Sequence, residues 1–201
     1  MNMEEIHSME EIRSDDELIE RIRCGDENAA EELIKRWYTS ILRYCKWHCA
    51  DIQKAEDLTQ ETFFRLFKAL AGHNSAAGCN SVTCYNRVAG YTGKKKFKAY
   101  LYTIANHLCI DESRKIPLYA LENEESLVYE HNEIQRAEDR EEIRYLLSTL
   151  SSEQREAVIL RFGEQMEFRE IAEVMGCNMR TAQSRVRSAL KIMRKERENE
   201  R

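Results

Sequence analysis

The residues best suited to nucleic-acid binding lie near the C-terminus. Six basic residues and no acidic residue occur between positions 180 and 195. A helix over this range would bury Ala182, Val186 and Leu190 on one side, because they recur at four-residue steps. Its other side would carry side chains that contact base edges and phosphates in a major groove: Arg180, Thr181, Gln183, Ser184, Arg185 and Arg187. We therefore predict a DNA-recognition helix here, whose amino end offers free N–H groups to phosphate.

The residues before this segment have the layout of a helix-turn-helix. A first helix would turn Ile171, Ala172 and Met175 inward, and the small Ala172 would let the two helices cross closely. Gly176 supplies the turn and Asn178 is a suitable cap for the second helix. The alternative is an ordinary bundle helix whose arginines are only solvated.

A second candidate surface lies on a predicted helix over residues 54–70. One set of its residues has helical spacing and would face a core: Phe63, Leu66, Phe67 and Leu70. A second set with the same spacing is rotated from it by about 120°: Asp57, Gln60, Glu61 and Phe64. From the residues alone, this second face is either a solvated surface with one exposed aromatic or a partner-binding surface.

Several cysteines and histidines form a candidate metal or redox site: Cys45, His48, Cys49, His73, Cys79 and Cys84. Their spacing matches no standard module, and Cys45 and Cys49 also suit the core of a helical bundle. The sequence contains no glycine-rich phosphate loop and no recognisable nucleophile motif. We therefore expect no metal, no cofactor and no catalytic residues.

The composition favours an all-α fold of two small helical domains joined by a flexible linker. The 201 residues include a single proline, and 33% of them are charged, which suits long helices. The net charge is −5, with acidic residues concentrated at the N-terminus and basic ones near the C-terminus, so the two ends favour different partners. With no signal peptide or apolar membrane span, we expect a cytoplasmic protein with reduced thiols and no membrane insertion.

The pattern along the chain predicts four segments. Residues 1–14 form an acidic tail, and residues 15–115 form the first domain, with a glycine-containing insertion at 72–96 that ends in Lys94, Lys95 and Lys96. A helix then resumes at Phe97, with Leu101 on its buried stripe. Residues 116–137 are an acidic linker that begins beside Pro117, and residues 138–201 form the second domain.

Three stretches of the sequence together resemble the extracytoplasmic-function (ECF) group of bacterial RNA polymerase sigma factors. Residues 55–67 resemble region 2.2 of that family, residues 97–115 resemble the segment that opens and recognises the −10 promoter element, and residues 150–195 resemble region 4, which recognises the −35 element. The resemblance covers roughly residues 15 to 70 and 97 to 195. It implies a region 2 helical bundle followed by a region 4 helix-turn-helix.

The resemblance assigns a role to each candidate surface. It implies that Asp57, Gln60, Glu61 and Phe64 bind the β′ clamp coiled coil of core RNA polymerase. It places the −35 contacts on the recognition-helix residues named above, and phosphate contacts of the −10 loop on Lys94, Lys95 and Lys96. The −10 element itself would be bound by one further set: Tyr100, Thr103, Asn106, His107, Arg114 and Lys115.

The chain also departs from the family pattern in the −10 segment. The family usually has Trp where Tyr100 stands and Arg-Asn where Asn106 and His107 stand, so one cation is replaced or absent. The 72–96 insertion is several times longer than the family's loop, and it serves either as a base pocket or as a mobile insertion for a regulator.

The expected function is that of an ECF sigma factor. Such a factor binds core RNA polymerase, recognises the −35 and −10 elements and promotes strand opening. Further partners implied by the resemblance are the β-subunit flap and an anti-sigma factor. Two alternatives remain at this stage: a stand-alone helix-turn-helix regulator, or a sensor that uses its Cys/His set to bind metal or respond to oxidation.

Overall fold

A computed structural model describes residues 13–49, 51–71, 96–113 and 142–199. All regular structure within these ranges is helical, which confirms the predicted all-α class. The acidic tail, residues 72–95 of the predicted insertion and the predicted 116–137 linker lie outside the described residues, as do Lys94, Lys95, Arg114 and Lys115. None of the described helices combines the length and apolar composition needed to cross a membrane.

Two helical units follow each other along the chain. The N-terminal bundle contains α1 (Asp15–Arg23), α2 (Glu27–His48), α3 (Ile52–Ala71) and α4 (Phe97–Ser113). The C-terminal unit contains α5 (142–148), α6 (Ser152–Val158), a π-helical turn (Ile159–Gly163), α7 (Phe168–Val174) and α8 (Met179–Asn199).

Local side-chain chemistry sets where the first helices begin and end. Ser14 and Glu17 form a reciprocal capping box at the start of α1, which satisfies two backbone N–H groups of the first turn. Gly25 adopts φ 88° after α1, a conformation that costs glycine little. The Asp26 side chain then accepts hydrogen bonds from the N–H groups of Asn28 and Ala29 at the start of α2. Gly25 and Asp26 thereby separate α1 from α2.

The core of the N-terminal bundle lies where α2 packs against α1, α3 and α4. Fully buried side chains such as Leu33, Leu66 and Leu101 fill it, each contributing about 1.5–3 kcal/mol by burial. The predicted stripes are confirmed on α3, where Phe63 and Leu70 are buried, and along α4 from Phe97.

Two large apolar residues of the C-terminal unit, Leu190 and Phe162, lie outside its core, and for Leu190 this contradicts the prediction. Leu190 is 41% exposed, and Ala189 is buried in its place, because the contact line of α8 follows positions 182, 186 and 189. Phe162 is 56% exposed, although Ala157 and Leu160 before it are buried. It lies in the π-helical turn, where the wider spacing rotates later residues away from the preceding stripe.

The two units pack directly against each other, with α4 on α7 and α2 on the π-helical turn. The Tyr44 hydroxyl donates a 2.6 Å hydrogen bond to Glu156 Oε1, and His48 Nε2 lies 3.2 Å from Glu156 Oε2. The His48 ring also lies 4.7 Å from the Tyr44 ring, measured between centroids. These contacts join α2 to α6 through a buried carboxyl group.

Burial controls the protonation of this cluster. It raises the pKa of Glu156 to about 7, an increase that the Tyr44 hydrogen bond partly opposes. Burial and the positive charge of Arg155 lower the pKa of His48 to about 4. Around neutral pH, the imidazole is therefore neutral and the carboxyl group titrates, because an unpaired charge is costly in a dry interface.

The Glu156→Gln variant should become progressively more stable than the wild type as the pH rises. The unfolded chain ionises Glu156 near its ordinary pKa, whereas the folded chain retains the proton up to about pH 7, so the wild type loses stability across this interval. The difference in free energy of unfolding should grow by at most about 3 kcal/mol between about pH 5 and about pH 8. Because His48 is present in both proteins, its opposite pH dependence largely cancels in this difference. Thermal unfolding of both proteins across this pH range measures the difference in free energy of unfolding. A difference that does not change with pH would contradict the raised pKa of Glu156.

Candidate nucleic-acid interface

The C-terminal unit contains the predicted helix-turn-helix. Between α7 and α8, Gly176 has φ 60°, and the Cys177 N–H donates to the Ala172 carbonyl over 2.9 Å, which closes the turn. Asn178 Oδ1 accepts a 2.8 Å hydrogen bond from the Thr181 N–H and so caps α8, as the sequence predicted. Ile171 and Ala172 are buried between the two helices.

The outer face of α8 carries the residues predicted to contact DNA. Arg180, Ser184 and Arg187 are exposed, whereas Thr181 and Gln183 are half-buried. The Thr181 hydroxyl also donates to Asn178 Oδ1 over 3.0 Å, so it belongs to the cap as well. This face presents cationic and hydroxyl groups to solvent from one side of a rigid helix.

Arg185 differs from the other cations of this face because it is held within the unit. Its guanidinium lies 2.6 Å from Glu153 Oε2 at the start of α6, and its side chain is mostly buried. The ion pair fixes the direction in which the side chain leaves α8. A phosphate at this position would compete with Glu153 for the same guanidinium.

Removing the cap should destabilise the C-terminal unit. The Asn178→Ala variant loses the acceptor for the Thr181 N–H and should lower the free energy of unfolding by about 1 kcal/mol. The Asn178→Asp variant retains an acceptor and should lose much less. Asn199→Ala is the matched control, because it makes the same change at the other end of α8, and urea denaturation compares the three proteins. Equal losses for Asn178→Ala and Asn199→Ala would show that the cap contributes nothing.

A separate exposed surface lies on α3, which we call the α3 face and define as Asp57, Gln60, Glu61 and Phe64. Phe64 is 61% exposed, Asp57 and Gln60 are exposed, and Glu61 is paired with Arg65 over 2.7 Å. The structure thus brings these residues together on one side of α3, next to its buried stripe. An exposed aromatic surrounded by carboxylates has the chemistry of a site for a basic, partly apolar partner.

The predicted −10 residues of α4 lie in two different environments. Tyr100, Thr103 and His107 are half-buried and share one face of the helix, and the Thr103 hydroxyl donates to the Ala99 carbonyl over 2.7 Å. Asn106 instead is only 4% exposed. It lies against α7, where its Nδ2 donates a long hydrogen bond of 3.5 Å to the Val174 carbonyl. Of the three predicted lysines, Lys96 is exposed and paired with Glu173 of α7 over 2.5 Å.

The cysteines and histidine of the candidate metal site do not converge in the described part of the chain. Cys45 and Cys109 are buried side by side between α2 and α4, and a thiol–thiol hydrogen bond lowers the pKa of Cys45. His48 faces Glu156 instead of these thiols. No group of three or more metal-ligating side chains occurs among the described residues, and His73, Cys79 and Cys84 lie outside them.

Sequence reasoning missed the two buried glutamates between the units. Glu156 precedes the apolar Ala157, and Glu164 follows Gly163, and neither position stands out in a helical pattern. Each has a partner more than a hundred residues away: Tyr44 for Glu156 and Arg43 for Glu164. The sequence signal that could have indicated Glu156 is a charged residue at a helical position where the apolar pattern predicts burial.

Comparison with known proteins assigns both units to one family. Residues 33–80 match Sigma-70 region 2, and residues 140–193 match Sigma-70, region 4. The sequence is 28% identical over 186 residues to RNA polymerase sigma factor YlaC of Bacillus subtilis (strain 168), covering 87% of this chain and 97% of that protein. The chain belongs to the extracytoplasmic-function group of RNA polymerase sigma factors.

One further relative agrees with this assignment, and one solved structure shares the fold. The ECF RNA polymerase sigma factor SigW of Bacillus subtilis (strain 168) is 23% identical over 193 residues, covering 89% of this chain and 94% of that protein. In structure, CnrH in complex with the cytosolic domain of CnrY shares the fold, with a TM-score of 0.67, 16% identity and coverage of 93% of this chain and 99% of that chain. The region 2 match covers α3 with its exposed face, and the region 4 match covers α5 to α7 and the recognition part of α8.

Proposed function

We propose that this ECF sigma factor directs core RNA polymerase to promoters with three separate surfaces. The α3 face binds the β′ clamp coiled coil, α8 enters the major groove of the −35 element, and α4 with the loop before it opens and binds the −10 element. The observation that carries the proposal is that the α3 face and the cationic face of α8 are both exposed on one chain. The factor itself carries out no covalent chemistry and acts in the cytoplasm.

The proposed domains follow the predicted boundaries. Region 2 spans 15–115 with the 72–96 insertion, a linker spans 116–137, and region 4 spans 138–201. The β-subunit flap is a second contact on the polymerase. An anti-sigma factor is a further proposed partner, implied by membership of the ECF group.

The α3 face has the features of a small protein-binding hot spot. A large aromatic side chain at the centre of a contact often contributes about 2 kcal/mol or more of binding free energy. Phe64 is the exposed aromatic of this face, and the neighbouring Asp57 and Glu61 supply charge that attracts a basic coiled coil. The other side of α3 is buried, so the face has a fixed position.

The Phe64→Ala variant should lose affinity for core RNA polymerase by about thirtyfold, because about 2 kcal/mol of contact is removed. Run-off transcription should fall with it at limiting factor concentration. Phe162→Ala is the matched control, since Phe162 is similarly exposed at 56% but lies on the other unit. Binding of labelled core enzyme measures the effect. Full transcription by Phe64→Ala would favour a stand-alone helix-turn-helix regulator instead.

The face of α8 suits double-stranded DNA, although the whole chain has a net charge of −5. Arg180 and Arg187 leave the same helix toward solvent, within reach of base edges and phosphates of one groove. The acidic remainder of the chain disfavours DNA binding, so we expect weak promoter affinity without polymerase. Docking on polymerase then supplies most of the free energy that holds the factor on the promoter.

The double variant Arg180→Ala with Arg187→Ala should lower run-off transcription from a −35-dependent promoter by at least about tenfold, since each contact contributes about 1–3 kcal/mol. Affinity for core polymerase should not change. Arg197→Ala is the control on the same helix, where Arg197 pairs with Glu142 over 3.2 Å. The promoter is first obtained by sequencing run-off start sites. A double variant that transcribes as well as Arg197→Ala would remove α8 from −35 recognition.

The exposed edge of α4 suits unpaired bases. Tyr100 and His107 can stack on bases of the melted strand, at about 1–3 kcal/mol per base. Thr103 lies between them on the same face of the helix, and Lys96 lies at the amino end of α4, close to the backbone phosphates of a strand on that face. The proposed −10 surface therefore combines stacking groups with one described cation.

A further inference from the structure

A cleft of about 300 Å³ lies where the two regions meet. Its walls come from α2, from α4 and from the residues around the end of the π-helical turn, and they include Ser40, Arg43, Lys98 and Gln165. A volume of this size is at the lower end of the range for small-molecule sites. Because the lining is mostly polar, the cleft suits a compact polar ligand and not an apolar one.

Two cations line this cleft with part of their hydrogen-bonding capacity unused. Arg43 donates from Nε and Nη2 to the Glu164 carboxylate over 3.2 and 2.8 Å, and its Nη1 has no partner among the described residues. Lys98 donates to the Glu164 backbone carbonyl over 2.7 Å, although an ammonium group carries three donors. Arg43 is 53% exposed and Lys98 is half-buried, so solvent reaches both. Unused donors on two neighbouring cations suit the binding of an anion.

The charges of the lining also favour an anion. Glu164 is the carboxylate among the described lining residues, and it already accepts hydrogen bonds from a guanidinium and from the Tyr102 hydroxyl. Two cations against one carboxylate give the lining a net charge of +1. Asp15, which accepts from the lining residue Trp37, is itself paired with Arg36 over 2.8 Å. The acidic character of the whole chain therefore does not extend into the cleft.

Neutral groups complete the lining. Ser40 contributes a half-buried hydroxyl and Gln165 an exposed amide, and both groups can donate to phosphate oxygens. Gln165 has a φ of 53°, a left-handed conformation that residues other than glycine rarely adopt and that clusters at ligand sites. Trp37 adds aromatic surface on which a base can stack. The cleft thus combines donors for a phosphate group with a surface for an attached base.

We propose that this cleft binds a small phosphate-bearing anion, held by Arg43, Lys98 and Ser40 between region 2 and region 4. The phosphate group is either free inorganic phosphate or part of a nucleotide, because both present anionic oxygens to the two cations. Both regions contribute walls to the site, so the ligand stabilises the folded protein by mass action. The inference does not depend on the promoter-binding role of either region.

Isothermal titration calorimetry of the full chain with inorganic phosphate, at an ionic strength fixed with chloride, tests the site. We expect saturable binding with a dissociation constant of about 1 mM or below. The cations on the outer face of α8 also attract phosphate, so the double variant Arg180→Ala with Arg187→Ala is titrated in parallel. It should retain the affinity of the cleft, because neither residue lines it.

The Lys98→Gln variant should bind phosphate at least about tenfold more weakly, because it loses a charge-assisted hydrogen bond. Lys35→Gln is the matched control, since it removes the same charge from region 2, but Lys35 pairs with Glu31 and does not line the cleft. It should bind phosphate as tightly as the wild type does. Equal affinities of the wild type and Lys98→Gln would overturn the proposal.

A second variant makes the test independent of Lys98. Ser40→Glu places a carboxylate in the wall of the cleft, at a half-buried position of α2, and should abolish phosphate binding by pairing with the cations. Thermal unfolding in chloride checks that this variant is folded, and about 10 mM phosphate should then raise the unfolding temperature of the wild type alone. Phosphate binding that survives in Ser40→Glu would place the anion elsewhere and overturn the proposal.

Titrations with adenosine monophosphate and with adenosine distinguish the two sources of the phosphate group. Tighter binding of adenosine monophosphate than of phosphate would assign a nucleotide, whereas equal or weaker binding would assign free phosphate. Adenosine should not bind, because it lacks the anion. Adenosine that binds as tightly as its monophosphate, or no saturable binding of either anion up to about 20 mM, would overturn the proposal.

Discussion

The relation between the two halves of the molecule depends on the burial of Glu164. A carboxylate removed from water needs hydrogen-bond donors, because a buried carboxylate without a partner loses about 5 kcal/mol of hydration free energy. Here the donors come from Arg43 on α2 and Tyr102 on α4, while region 4 contributes the carboxylate itself. The position of region 4 is thus tied to region 2 by the need to solvate one charge. A purely apolar contact would tolerate sliding, whereas a forked guanidinium fixes both distance and direction.

Glu156 forms the second polar contact between the same two units, but its chemistry differs. Its carboxyl group accepts a hydrogen bond from Tyr44 and lies next to His48, and among the described residues no lysine or arginine pairs with it, so burial raises its pKa to about 7. Glu164 bonds to a guanidinium, and the pair in turn raises the pKa of Arg43. One interface therefore contains a charged contact and a titrating one. The first sets orientation, and the second makes the stability of the contact depend on pH in the neutral range.

The same packing leaves the α3 face and the outer face of α8 exposed to solvent. The α3 helix packs on α1, α2 and α4 and leaves Phe64 exposed, and α8 turns its cations outward because its small residues Ala182 and Ala189 are buried. The π-helical turn contributes by rotating Phe162 outward and leading directly into Glu164. Local geometry in region 4 thus determines which residues reach α4. The packing places the α3 face, proposed to bind polymerase, and the proposed −10 residues of α4 on different helices of the N-terminal bundle.

The sequence by itself determined the helices, their caps and the two faces of α3, because these depend on residues three or four positions apart. Asp26, Gly176 and Asn178 act through neighbours in the chain, and the family resemblance follows from such local patterns in their order. Tertiary structure decided the burial of Asn106, the exposure of Leu190 and the pairing of Arg43 with Glu164. These features involve helix packing and partners up to 121 residues apart, and no local periodicity encodes which charge will meet which when two units pack.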